Sequence, residues 1–348
     1  MLNVIKYGAV SSKTRAMYGR LLDMDDYREL IHKKTVSDIV SYLKHNTHFK
    51  AVLSDVDENE IHRGSLENIL KQDLVNDYIK LAKFTNGQIK KFIHLMFTKV
   101  EIESLKIIFR IFEAGGNAGL VLGDSRILNI KYDNLDLSKL AMAKDLEQFI
   151  NELKGTEYYN VLRPFAHEDN ETRLFSMEMA LDLFYLRTVH DEYKKLKDSN
   201  DRKLIREYAG LESDIFNIFW IYRSKTFYNM DNEVIKSYTL PLIYKLNKAA
   251  IDAMIKARNF DEFISAVKAT PYAFLFDKGN KFFEQSYSEF MYQIHRKRFR
   301  TNPFSIACVV SYLRLKEVEL SNIISIIEGV RYKLSEDNIK NYIIGMKS

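Results

Sequence analysis

The chain has 348 residues, 46% hydrophobic and 28% charged, a balance that builds packed cores and excludes a disordered polar chain. Its 52 basic and 47 acidic side chains leave a net charge of +5, too mild to mark a nucleic-acid binder. With 13 glycines, 4 prolines and little strand-like alternation, the recurring 3.6-residue apolar stripes predict an all-α protein.

Along the chain, three markers recur in the same order. The first is a short amphipathic helix, predicted from Val36, Ile39, Val40 and Leu43, then Leu146, Phe149, Ile150 and Leu153, then Phe260, Phe263, Ile264 and Val267. Each is trailed by a lysine (Lys44, Lys154, Lys268), then by a threonine and an aromatic: Thr47 and Phe49, Thr156 and Tyr158, Thr270 and Tyr272. The second marker is a glutamate in a helical segment, Glu67, Glu178 and Glu289, spaced 111 residues apart both times. The third is an acid leading an apolar run: Glu103, Asp214 and Glu319. A period near 110 residues is the size of a compact domain rather than of a solenoid repeat. Three similar helical modules are therefore expected, at 1–122, 123–232 and 233–348. The glycines of Ala114–Gly119 mark the first break as a helix C-cap and turn.

The lone cysteine, Cys308, has no disulfide partner, and its neighbours Ile306, Ala307, Val309 and Val310 predict a buried thiol, consistent with a reducing, cytosolic setting. No apolar run approaches the roughly 20 residues that span a bilayer, and the N-terminus carries no secretory signal, so membrane contact is expected only through partners.

Catalytic constellations are missing from the pattern. The glycine-rich segment lacks the order of a phosphate-binding loop and follows a helix rather than a strand. His45, His48 and His167, the last beside Glu168 and Asp169, have no metal-ligand spacing, and no cofactor or metal is expected. The three repeated glutamates are read as one structural bond per module, the competing reading being carboxylates that converge on a shared site. The aromatic cluster Phe216, Phe219, Trp220, Tyr222, Phe227 and Tyr228 is read first as packing and second as a partner-facing patch. The run His295-Arg296-Lys297-Arg298-Phe299-Arg300 places cations at a helix C-terminus, where the dipole favours them, and also offers an acidic protein surface a docking point.

The repeated segments resemble the C subunit of the V-type and archaeal-type rotary ATPases, the counterpart of the eukaryotic d subunit. The resemblance rests on Thr14-Arg15-Ala16-Met17-Tyr18-Gly19-Arg20-Leu21-Leu22, on Lys268-Ala269-Thr270-Pro271-Tyr272, and most specifically on Asn302-Pro303-Phe304-Ser305-Ile306. Tyr312-Leu313-Arg314-Leu315-Lys316-Glu317-Val318-Glu319 and Asn322-Ile323 extend it. One departure is Lys106, which stands where the other copies have Asn217 and Asn322. The resemblance implies three helical-bundle modules in a pseudo-threefold funnel, and a non-catalytic rotor subunit with no cofactor. It also implies two partners, the membrane proteolipid ring and the central-shaft subunits, with nucleic acid excluded, in a protein peripheral to the membrane on its cytoplasmic side. Arg15, Arg20, Arg296, Lys297, Arg298 and Arg300 are the expected contacts with acidic partner surfaces. The alternative is a helical scaffold unrelated to rotary motors.

Overall fold

The computed structural model describes residues 2–61, 63–119, 135–167, 170–277 and 283–346. The expected boundary at 122, and Glu168 and Asp169, lie outside them. The fold is all-α. In chain order the helices are α1 (Leu2–Tyr18), α2 (Met24–Ile31), α3 (Val36–Asn46), α4 (Lys50–Leu53), α5 (Arg63–Ala82), α6 (Gly87–Glu113), α7 (Leu137–Ala141), α8 (Leu146–Glu152) and α9 (Glu157–Leu162). They continue as α10 (Asn170–Lys194), α11 (Ser199–Thr226), α12 (Asn232–Tyr238), α13 (Lys248–Lys256), α14 (Phe260–Lys268), α15 (Phe283–Thr301), α16 (Ile306–Arg331) and α17 (Glu336–Tyr342). The described chain forms two compact units, one of residues 1–181 with 292–348, the other of residues 182–291.

The three predicted short helices are α3, α8 and α14, and each starts at a capping side chain. Thr35 accepts from the Asp38 N–H, Asp145 from that of Gln148 and Asn259 from that of Glu262, which satisfies donors the first turn leaves free. Each also ends alike. The hydroxyls of Thr47, Thr156 and Thr270 donate back to the carbonyls of Leu43, Leu153 and Val267 at 2.6, 2.8 and 2.6 Å. In the outer copies the same hydroxyl accepts the N–H of the aromatic two residues on, Phe49 and Tyr272. The threonine thus closes the helix and turns the chain so that Phe49, Tyr158 and Tyr272 enter the core.

The three long helices that carry the third marker are α6, α11 and α16, and a residue with left-handed backbone follows each, two residues past the end of α6 and α16 and three past that of α11. Gly115 (φ 71°), Asn229 (φ 44°) and Lys333 (φ 53°) occupy these positions. At α6 the Gly116 N–H reaches the Ile111 carbonyl at 2.8 Å, and at α16 the Leu334 N–H reaches Gly329 at 2.9 Å, the six-to-one bond of a Schellman ending.

Packing pairs each long helix with a short helix that lies later in the sequence, and the last long helix with the first short one. Tyr158, after α8, donates to Glu101 of α6 at 2.6 Å; Tyr272, after α14, donates to Asp214 of α11 at 2.6 Å. Phe49, after α3, lies under Lys316 of α16 at 4.3 Å. In the first copy the tyrosine's partner is Glu101, while Glu103, two residues on, points outward and pairs with Lys106. Around α16 stand α1, α2, α3 and α5, and its first eleven residues, Ile306–Lys316, are buried on every face. That encirclement is why these three turns are mostly apolar, with Arg314 and Lys316 the charged exceptions.

In the other unit, α11 packs on α12, α13 and α14. Most of the aromatic cluster is internal: Tyr222 and Phe219 meet Phe283 edge-on at 4.9 and 5.0 Å, and the Trp220 indole N–H donates to the Ile235 carbonyl at 2.9 Å. Phe227 and Tyr228, at the end of α11, are exposed.

Candidate partner interface

The basic residues expected at a partner surface come from opposite ends of the sequence, and packing joins their two segments. Helix α1 buries Tyr7, Val10, Ser11, Thr14 and Met17, one stripe at helical spacing, and packs against α16. Ser11 and Thr14 are small hydroxyl residues, which hides the stripe from a hydrophobic pattern. Thr14 satisfies its hydroxyl within the helix by donating to the Val10 carbonyl at 2.6 Å. Ser11 meets the Cys308 thiol, whose pKa burial pushes up, so the thiol is neutral and inert.

This stripe leaves Arg15 facing outward, and the end of α15 lies against the end of α1. The rings of Tyr18 and Phe299 stack at 4.2 Å, and the Arg15 guanidinium covers the same Phe299 ring at 5.5 Å. Phe299 is buried beneath them while Lys297 and Arg300 stay exposed beside it. Arg296 lies over the Tyr292 ring at 5.4 Å, and Arg298 is half-buried. Arg20 is exposed in the turn that follows α1. Among the described residues, no carboxylate pairs with Arg15, Arg20, Lys297 or Arg300. The Arg15 charge is held in place by stacking on a ring, at little desolvation cost, and all four charges remain available.

Beneath the basic surface lies a neutral histidine. His295 is fully buried, and burial, together with the charges of Arg314, Arg298 and Lys99, holds its pKa well below the ordinary value. The Arg314 charge is partly compensated by Glu317, both of whose oxygens accept from the one Nη1, at 2.9 and 2.7 Å.

A second buried feature fixes how the N-terminal segment meets α16. The Lys316 ammonium, with no exposed side-chain surface, donates to Glu319 at 2.6 Å, forms an ion pair with Asp73 of α5 at 2.8 Å, and lies 2.5 Å from His48 Nε2. Burial alone would raise the Asp73 pKa, but hydrogen bonding from His48 and the charge of Lys316 hold it down at about 2. Burial disfavours the Lys316 charge, yet Glu319 and Asp73 raise its pKa above the ordinary lysine value. The second oxygen of Glu319 takes the backbone N–H of Leu22 at 2.7 Å, so the turn carrying Arg20 is pinned to the central helix. Sequence reasoning does not find this cluster. Its signal is the oppositely charged pair at i and i+3, Lys316 and Glu319, just after the largely apolar first turns of α16.

Three of the other candidate residues form ion pairs. Glu67 pairs with Lys71 one turn along α5 at 2.8 Å, and Glu178 of α10 pairs with Arg110 of α6 at 2.6 Å. Glu289 lies on α15 in the unit of residues 182–291. His45 pairs with Glu58 at the surface. Among the described residues no cluster of histidine, cysteine and carboxylate side chains is arranged to hold a metal ion, and no helix is long and apolar enough to cross a membrane.

Asp214 shows what the third marker does in the unit of residues 182–291. Its carboxylate accepts the N–H groups of Tyr244, Lys245 and Leu246 at 2.9, 2.7 and 3.0 Å, besides the Tyr272 hydroxyl. Burial, then the hydrogen bond to Asp214, drives the Tyr272 pKa far up, so the phenol is a permanent donor.

The sequence is similar to the C subunit of the A-type ATP synthase of Methanosphaera stadtmanae, 24% identical over 93% of this chain and 83% of the relative. It is similar also to that of Methanocaldococcus jannaschii, 22% identical over 99% and 88%, and of Archaeoglobus fulgidus, 25% identical over 98% and 97%. Residues 10–342 match the model of the ATP synthase (C/AC39) subunit family, which takes in the basic α1 surface, the buried Lys316 cluster and all three copies of the repeated markers. By this match over nearly its whole length, the chain belongs to the ATP synthase (C/AC39) subunit family.

Proposed function

We propose that this protein is a non-catalytic rotor subunit of an A-type or V-type rotary ATPase, joining the central shaft to the membrane proteolipid ring and passing torque between them. In this reading ATP turnover and ion movement belong to other subunits, and the protein sits peripherally on the cytoplasmic side, meeting the membrane only through partners. The three modules, 1–122, 123–232 and 233–348, are proposed as its repeating structural unit.

The observation that carries the reading is the joining of Arg15 with the 296–300 run over one buried ring, Phe299. A coupling that transmits torque needs contact surfaces that do not yield, and packed interiors with bonded polar groups resist deformation. Here the cations stand on helices whose registers are fixed by buried bonds, the Leu22 to Glu319 link among them. Arg15, Lys297 and Arg300, which pair with no carboxylate among the described residues, stand on a rigid base that suits an acidic partner surface and steers its approach.

The test is co-purification. Charge reversal at Arg15, Arg296, Lys297 and Arg300 together is expected to weaken recovery of the ring and shaft subunits by at least about tenfold, with a loss that grows with salt for partial variants. Full recovery at moderate salt would sink the assignment of this surface. Absence of ring and shaft subunits from purifications of the unaltered protein would sink the rotor reading and favour a scaffold role.

A further inference from the structure

In the unit of residues 182–291, the N-terminal half of α11 faces an open groove of about 560 Å³. One wall is the exposed face of α11, where Arg202, Lys203 and Arg206 recur at helical spacing. Among the described residues none of the three pairs with a carboxylate; Arg202 reaches only the Lys197 carbonyl, at 3.4 Å. The facing wall is apolar, built by the segment around Ile243, which is 42% exposed, and Tyr244.

This wall is held rigidly. Asp214 takes three successive backbone N–H groups of residues 244–246, and the Tyr244 ring lies on the bare backbone of Gly210, where an added Cβ would come within 2.6 Å of the Tyr244 side chain. The groove therefore exists before anything enters it, which lowers the ordering cost of binding.

We infer that this groove receives an acidic amphipathic helix of a partner protein, its carboxylates toward Arg202, Lys203 and Arg206 and its apolar side chains against Ile243 and Tyr244. Three observations favour that occupant. Cation density and the absence of carboxylate partners among the described residues call for an anion. The cations extend along more than one turn of α11, roughly 6 Å of helix axis, a linear spread that matches carboxylates at i and i+4 better than one compact phosphate. The groove is concave with an apolar far wall, whereas a flat membrane surface would meet cations on a convex face. The inference does not depend on the α1 and α15 surface, whose cations belong to the other unit.

A photo-crosslinking residue placed at Ile243 in the complex isolated from membranes, read by mass spectrometry, is expected to capture a Glu- or Asp-rich helical segment of another protein. The Arg202→Glu, Lys203→Glu, Arg206→Glu variant is expected to lose that product by at least about tenfold. In parallel, a synthetic helical peptide with Glu at i and i+4 and Leu on its other face should bind the purified chain in fluorescence anisotropy, and bind the reversed variant at least about tenfold more weakly. An unchanged melting temperature shows that the three exposed substitutions leave the fold intact. Capture of lipid alone, no capture, equal capture by the reversed variant, or tighter binding of pyrophosphate or phosphatidylglycerol vesicles than of the peptide would each overturn the inference. Normal recovery of ring and shaft subunits alongside such a result would leave the rotor reading standing.

Discussion

The side-chain amide of Asn322 closes a two-bond clamp on the backbone of Ile344: Nδ2 donates to its carbonyl at 3.0 Å and Oδ1 accepts its N–H at 2.8 Å. In the unit of residues 182–291, Asn217 does the same to Leu240, at 3.0 and 2.8 Å. Both clamps grip the segment that follows the short helix after a long one, α17 after α16 and α12 after α11. Lys106, the residue at this position in the first copy, instead turns to Glu103 at 3.2 Å. The amide is suited to the task because it offers a donor and an acceptor side by side.

Replacing Asn322 or Asn217 by Ala strands a buried backbone donor and acceptor together. Each change is expected to cost about 2–4 kcal/mol, seen as a lower urea midpoint. Asn322→Asp or Asn217→Asp should cost as much, because the carboxylate would face a carbonyl. A loss below about 0.5 kcal/mol at both would show that water replaces the clamp.

The Lys316 cluster predicts a charge-dependent loss. Lys316→Met leaves Asp73 and Glu319 buried without their cation, and about 3–5 kcal/mol of stability should disappear. Adding Asp73→Asn and Glu319→Gln to it should recover a large part, since the uncompensated charges are then gone. Equal stability of the single and triple variants, by chemical denaturation, would contradict this.

His295 sets a pH dependence whose sign follows from its depressed pKa. Below the ordinary value near 6.5 the unfolded chain binds a proton at this position and the folded chain does not, so stability falls as pH drops from about 7 toward 5. His295→Leu should flatten that limb relative to the unaltered protein. Parallel profiles of urea midpoint against pH would rule the site out as the source.

Lys333 holds left-handed backbone at φ 53°, where a Cβ costs about 1 kcal/mol. Lys333→Gly is therefore expected to raise the thermal midpoint by a few degrees at most, while Gly115→Ala, at φ 71° in the equivalent turn, should lower it. Calorimetry of the two variants checks the opposite signs.

The helical class, the three short helices and their Thr-x-aromatic endings are legible because each depends on residues within one or two turns. Local periodicity and capping do not need the rest of the chain. The basic run at 296–300 is legible as charge, but its meeting with Arg15 is not, because Phe299 shows no preference in sequence for Tyr18. Which acid of the first copy meets the tyrosine, Glu101 rather than Glu103, is not legible either, since two acids so close in sequence differ only in the face they take on the helix.

Sequence alone thus determined the helical class, the place of the three short helices, and that one pattern recurs. Tertiary structure alone decided which long helix receives which short one, and so that α16, near the end of the chain, is surrounded by helices from its beginning. Helix formation follows from neighbours along the chain, whereas the choice of packing partner depends on burying surfaces and charges that are far apart in sequence. Leu22 and Glu319 illustrate it: neither names the other until the fold puts an N–H and a carboxylate 2.7 Å apart.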